Sequence, residues 1–580
     1  MEVLRDQMTA LLEQGLYDSA EILGGFLMSA TASNSDLPPS TRAENMVLLA
    51  DALYGRKEYR RALNLYRQAV QQCRVTPKQT VSGGRSSVQA TSRPPSVNSL
   101  HASTINENEV KYKIGLCHLA VHDTRAALSE MEGIPPKARN LKINLTLAKL
   151  YRSTGYDRAA TAAYKECLRI SPYVLEAVIA LAELGVAAKE LHSLLPQVGV
   201  RKMSSTFGHV LSTRKVQPKS IRSPVDPFEP VRWFQRLADG HCSVYGHNYK
   251  EALEHFNYLG QKFPNNVHVL LETAKAEAAM GRNDEAVHNF EKARQADQYN
   301  ISSMDEYAML LRTRSNQVEL NRLVHDLLNI DPARPEVWVA SAVYWELRDD
   351  RVRALTYTDK AMRIDERLTS AHLVKGNLSL SLNRSEVAVM AFRKAQSLRT
   401  DLRAYQGLVR AHLANSKHKE ALCAAREAMK AMPHSAKALT LVGDVYAQNS
   451  EGRDKGRKFY ESALRQEPGY LGAVLSLADL HGAEGRNDEA IALLQRYLKT
   501  WADDSLHTKL AQILAASNKL GESLSHYQTA LSINPLNEAA KKGLERLEKQ
   551  MKGVDPDALD EEEDNEGEDA DADAEEGEFL

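Results

Sequence analysis

Along most of the chain, small residues and bulky aromatics recur at helical spacing rather than in a period of two. That pattern predicts helices and no sheet. Ala148 is followed three residues on by Tyr151, Ala160 comes nine later, Tyr164 four after that, and Pro172 closes the run. Two small–aromatic stretches, a break between them and a terminal proline describe two helices, the second of which cannot continue past its proline.

The small residue that opens the second stretch returns at Ala252, Ala286, Leu320, Ala354, Ala388, Ala421, Gly456, Ala490 and Ser523. The spacings are 34, 34, 34, 34, 33, 35, 34 and 33. Ala62, Ala127 and Ala160 head further units upstream, and Ala20 a weaker one. Aromatics follow at Tyr66, Tyr164, Phe256, Phe290, Phe392, Tyr460 and Tyr527. Small residues in the preceding helix include Ala148, next to Tyr151 in the pattern, and Gly376. Two helices per period of about 34 residues are the signature of the tetratricopeptide repeat (TPR). The expected fold class is therefore all-α: a TPR α-solenoid, a superhelix of antiparallel helix pairs with about 12–14 repeats. The residue types follow from packing. Paired helices approach closely only where one side chain is small, and the aromatic of one fills the gap left by the other.

Two stretches break the period. Residues 75–107 hold Thr-Pro, Gly-Gly, Ser-Ser and Pro-Pro steps with few large apolar side chains, a composition that predicts a disordered loop. Residues 199–230 carry Arg201, Lys202, Arg214, Lys215, Lys219 and Arg222, with no acidic residue before Asp226 and four prolines that oppose a helix. The expected organisation is an N-terminal TPR arm over 1–198, a basic linker over 199–230 and a main array over 231–536. A capping helix over 537–552 and a disordered acidic tail over 553–580 follow.

Charge changes this picture only at the tail. The net charge of −2 conceals 15 acidic and no basic residues from Asp555 to Leu580; the rest of the chain holds 61 acidic against 74 basic residues. Spread over so long a chain, that excess does not by itself argue for nucleic acid. The five cysteines, Cys73, Cys117, Cys167, Cys242 and Cys423, form no C-x-x-C pair. Neither a disulfide framework nor a zinc site is expected, and reduced packing thiols are. MEVLRDQMTALLEQG lacks the apolar core of a secretion signal, and no stretch of about 18 apolar residues suggests a membrane span. The expectation is a protein of nucleus and cytoplasm that touches neither membrane nor nucleic acid.

No catalytic constellation emerges. Gly83-Gly84-Arg85 lies in a loop, not between strand and helix, and no metalloprotease, nucleophile-elbow or EF-hand motif is present. His412, His481 and His507 fall on helices at repeat positions, where surface or groove placement is expected. No catalytic residue, cofactor or metal is expected. Thr76-Pro77 and Ser223-Pro224 are candidate sites of proline-directed phosphorylation, which would add negative charge to the segments between repeats. A carboxylate clamp of Lys and Asn in consecutive repeats is one known TPR binding mode. Asn377 fits its first position, but the next unit reads Gly407-Leu408-Val409-Arg410 with no Asn.

Glu109-Val110-Lys111-Tyr112-Lys113, Gly133-Ile134-Pro135 and Lys142-Ile143-Asn144 follow the Ser/Thr-rich loop. Met304-Asp305 with Tyr307, Pro335-Glu336-Val337-Trp338-Val339 and Leu373-Val374-Lys375-Gly376 lie further on. In these stretches and in the order of its features, nearly the whole chain resembles the subunit-seven family of the anaphase-promoting complex, a cell-cycle ubiquitin ligase. The resemblance implies a non-catalytic scaffold that forms a homodimer through its N-terminal arm and packs against sibling TPR subunits, while a cullin and RING pair elsewhere transfers ubiquitin. The alternative is a TPR adaptor that captures peptide segments of client or chaperone proteins; a visible clamp would have favoured it. An enzyme with appended repeats would need an additional α/β domain, for which the chain after Pro535 offers no room.

Overall fold

In this computed structural model, residues 2–32, 37–75, 105–195, 229–501, 503–535 and 537–551 are described. The candidate phosphorylation residues Thr76 and Ser223, the acidic tail, and nearly all of the 75–107 and 199–230 segments lie outside them. Among the described residues the regular structure is entirely helical. In chain order the helices are α1 (Glu2–Glu13), α2 (Tyr17–Ala32), α3 (Pro39–Gly55), α4 (Tyr59–Val75), α5 (Glu107–Ala120), α6 (Thr124–Glu132), α7 (Leu141–Thr154), α8 (Asp157–Ile170), α9 (Leu175–Glu183), α10 (Ala188–Leu194), α11 (Glu229–Tyr245) and α12 (Tyr249–Lys262). There follow α13 (Val267–Met280), α14 (Asn283–Ala296), α15 (Met304–Thr313), α16 (Gln317–Ile330), α17 (Pro335–Leu347), α18 (Arg351–Ile364), α19 (Thr369–Ser381), α20 (Ser385–Leu398), α21 (Leu402–Ala414) and α22 (His418–Ala431). The chain continues with α23 (Ala436–Ala447), α24 (Arg453–Gln466), α25 (Leu471–Ala483), α26 (Asn487–Leu498), α27 (Asp504–Ala516), α28 (Leu520–Ile533) and α29 (Glu538–Met551).

Taken in sequence these are fourteen helix pairs and a final helix. The chain divides into two compact units, Met1–Gly246 with Lys250–Lys262, and His247–Tyr249 with Phe263 onward. The α11/α12 pair thus belongs essentially with the first unit, whereas the sequence placed the break before it.

The ends of the helices explain the regular period. Asn140, Asn266, Asn316 and Asp350 each accept a hydrogen bond from a backbone N–H in the first turn of the helix they precede, satisfying a donor the helix cannot use. The turn inside a pair takes one left-handed residue: Gly155, Gly281, Ser315, Asp349, Asn383, Ser416, Gly485 and Asn518 all have positive φ. One such residue reverses the chain in a few positions, so helix length and turn length together set the 34-residue repeat.

The core is a chain of small–aromatic contacts. Phe392 is fully buried between Gly376 of α19 and Gly407 of α21; a Cβ on Gly376 would stand 2.5 Å from its ring. Tyr460 lies against Gly443 in the same way. In the second unit the odd-numbered helices from α15 to α27 also touch one another in series. They form a continuous wall, with the even-numbered helices laid against it. Helix α29 packs on α27 and α28, with Gly543 beneath the Tyr527 ring.

Candidate functional site

The wall of odd-numbered helices in the second unit carries a charged ring. Its members come from the first turns of those helices, where a repeat of constant length places equivalent residues side by side. Asp401 caps α21 by accepting from the Arg403 backbone N–H, which fixes Arg403 near the start of the helix. The Arg403 guanidinium then forms a forked pair with Glu306 of α15, at 2.8 and 3.0 Å, and reaches Asp401 at 2.7 Å. The Ser370 hydroxyl on α19 donates to Asp305 on α15 at 2.5 Å. Lys437 Nζ on α23 donates to the Ala279 carbonyl at 2.6 Å, at the C-terminal end of α13, where helix carbonyls lack partners and favour a cation. These contacts join helices that are not neighbours in sequence, so the wall is concave and the contacts cross its hollow.

The electrostatics follow from crowding around a space that solvent still reaches. Arg403 keeps 43% of its side-chain surface exposed, against 23% for Glu306 and 14% for Asp401. Enclosure alone would raise Glu306, but the Arg403 charge outweighs it and holds the carboxyl below its ordinary range. Asp401, pushed up by enclosure and pulled down further by Arg403, falls to about 2. Asp305 is buried and beside Glu306, and these two effects lift it to about 6 despite the Ser370 hydrogen bond. Enclosure also lowers Lys437.

The first unit has a smaller polar link. Tyr66 donates to Asp51, and Lys113 on α5 pairs with both carboxylate oxygens of Asp51 at 2.8 and 2.9 Å. Tyr460 and Asp444 repeat the tyrosine–aspartate contact at 2.8 Å. Such links tie each repeat to its own partner helix or the next; none assembles a nucleophile, base and oxyanion donor. Among the described residues no group of three or more His, Cys, Asp or Glu is placed to hold a metal ion.

The sequence-derived packing positions fall as follows. Ala62, Tyr66, Ala148, Ala160, Tyr164, Ala252, Phe256, Ala286, Phe290, Ala354, Gly376, Ala388, Phe392, Tyr460 and Tyr527 are all buried. Tyr151 is half-buried, its hydroxyl on Glu132. Surface or groove placement fails for His412 and His481. His412 is buried near Arg393 of α20 and Glu420 of α22, and His481 is buried beside Glu489 of α26. Burial lowers both below the ordinary imidazole range. The helical stripe that carries them faces the second helices of the repeats rather than solvent.

Comparison with known proteins decides the family. Models of the tetratricopeptide repeat match residues 141–173 and 453–513. The chain is 55% identical over 561 residues to anaphase-promoting complex subunit 7 of Arabidopsis thaliana, covering 97% of each. It is 30% identical to the subunit 7 of Dictyostelium discoideum, over 97% of this chain and 93% of that one. The chain belongs to the anaphase-promoting complex subunit 7 family. A crystal structure of the APC/C hetero-tetramer Cut9-Hcn1 aligns over 94% of the chain with a TM-score of 0.57 at 17% identity, which supports the fold.

The stretches that carry the family resemblance are largely packed into the repeats. Lys113 of the Glu-Val-Lys-Tyr-Lys stretch is the partner of Asp51. Ile134 of Gly-Ile-Pro is buried, and its carbonyl accepts from Arg139. Ile143 and Asn144 are buried in α7. Met304 is fully buried, and Tyr307 stacks on Phe290 with ring centroids 5.2 Å apart. Trp338 stacks on Tyr357 and donates to the Pro332 carbonyl. Of these stretches, Asp305 and Glu336 fall at the charged ring. The rest of the ring went unread in the sequence, although Ser370, Arg403 and Lys437 continue from Glu336 at spacings of 34, 33 and 34 and would have marked one face.

Proposed function

We propose that the chain is a non-catalytic TPR scaffold subunit of the anaphase-promoting complex, packing against sibling TPR subunits while other subunits transfer ubiquitin. The identity of 55% over 97% of both chains to an anaphase-promoting complex subunit 7 carries this reading. Repeats joined by packing contacts suit it, because a solenoid offers long surfaces and needs no reactive centre. We expect the protein in nucleus and cytoplasm. Purification of the tagged chain from dividing cells tests the assignment. A cullin, a RING protein and several TPR chains in near-equal amounts support it; chaperones or a single unrelated client would contradict it.

The N-terminal unit supplies the homodimer in this reading. Ile22 and Phe26, four residues apart on α2, are 66% and 68% exposed, an unusual display of large apolar side chains on one helix face. Sedimentation of the full chain reads this directly. Phe26→Glu is expected to shift a dimer toward monomer, and an unchanged dimer would move the interface off this helix.

A further inference from the structure

We propose that the concave wall of the second unit is latched shut across its own hollow by Arg403 on Glu306, Ser370 on Asp305 and Lys437 on the Ala279 carbonyl, and that breaking this latch opens the groove without unfolding the repeats.

The reason lies in what these contacts add. A solenoid is stabilised by contacts between adjacent repeats, and those alone set its rotation per repeat. The three latch contacts lie outside that scheme, joining residues 65, 97 and 158 positions apart. They act as chords across the curve. Losing a chord leaves the small–aromatic contacts in place: Phe392 meets Gly376 and Gly407, Tyr460 meets Gly443 and Phe290 meets Tyr307, each within or between neighbouring repeats.

The latch is also built to reopen. When Glu306 lets go, Arg403 keeps Asp401, its own helix cap, so no buried cation is stranded. Lys437 gives up one carbonyl and remains near Glu467. Forked guanidinium–carboxylate pairs are directional, but with Arg403 43% exposed this one is open to salt. While shut, the latch places its side chains where an extended segment would have to lie. A partner entering this groove must displace them, and a partner using the outer surface need not. The inference is independent of the scaffold reading, because it concerns only contacts inside this chain.

Hydrogen exchange of the full chain, read by mass spectrometry, tests it. In the Glu306→Ala, Lys437→Met double variant, the first turns of α15, α21 and α23 are expected to exchange about fivefold faster, the factor for a contact worth about 1 kcal/mol. Amides of α18 and α20 should keep their protection. High salt should reproduce the pattern in the unaltered chain, and Lys437→Arg should retain protection. Unchanged exchange in the three first turns would overturn the latch. So would a rise spread evenly into α18 and α20, which would mean general destabilisation.

Discussion

Asp305 sits in an environment that its residue type disfavours. It is a buried carboxyl next to a second carboxylate, and its pKa rises from 3.8 to about 6. The folded state therefore binds its proton more tightly than the unfolded chain does. Stability is highest where Asp305 is protonated in both states, falls as pH rises from about 4 to about 6, and carries the full penalty above that. Asp305→Asn keeps an acceptor for Ser370 and loses the charge. It is expected to raise the melting temperature at pH 7.5 clearly more than at pH 4.5; a gain that does not change with pH would contradict this account. Asp401 works in the opposite direction. Held at about 2 by Arg403, it contributes stability that is present at neutral pH and lost as pH falls from about 4 toward 2.

At the level of the helix pair, the aromatic and the small residues facing it act as one unit. Phe392→Ala empties a sealed space between α19 and α21 and is expected to cost about 3–5 kcal/mol. Gly407→Ala attacks the same contact from the other side, forcing the ring to move, and is expected to cost about 1–3 kcal/mol. Chemical denaturation of both variants checks the pair; a neutral Gly407→Ala would mean that the ring has room that this packing denies it. This layer was legible in the sequence because Ala388, Phe392 and Gly376 sit at fixed offsets within a repeat, and periodicity reads fixed offsets. Gly407 was read there only as a clamp position lacking Asn, since its role depends on an aromatic of the preceding repeat. His412 and His481 were misread because a polar residue type outweighed its place on a buried stripe. The Arg403–Glu306 pair was illegible for a stronger reason. It joins residues 97 apart, and nothing local in either segment says how sharply the wall between them curves.

At the scale of the whole molecule, repeats that bury one another fit the scaffold role proposed above. The small–aromatic joints hold each unit together, and the α2 face that displays Ile22 and Phe26 is the one proposed to meet a second copy. A scaffold of this kind must be present in fixed proportion to the catalytic subunits, whereas an adaptor or client would come and go. The most direct test is the copy number of this chain in the ligase purified through its cullin subunit, by quantitative mass spectrometry with isotope-labelled standards. The account predicts two copies per cullin, held through washing at high salt. A level far below one copy per cullin, or loss on washing while the other TPR subunits remain, would contradict it.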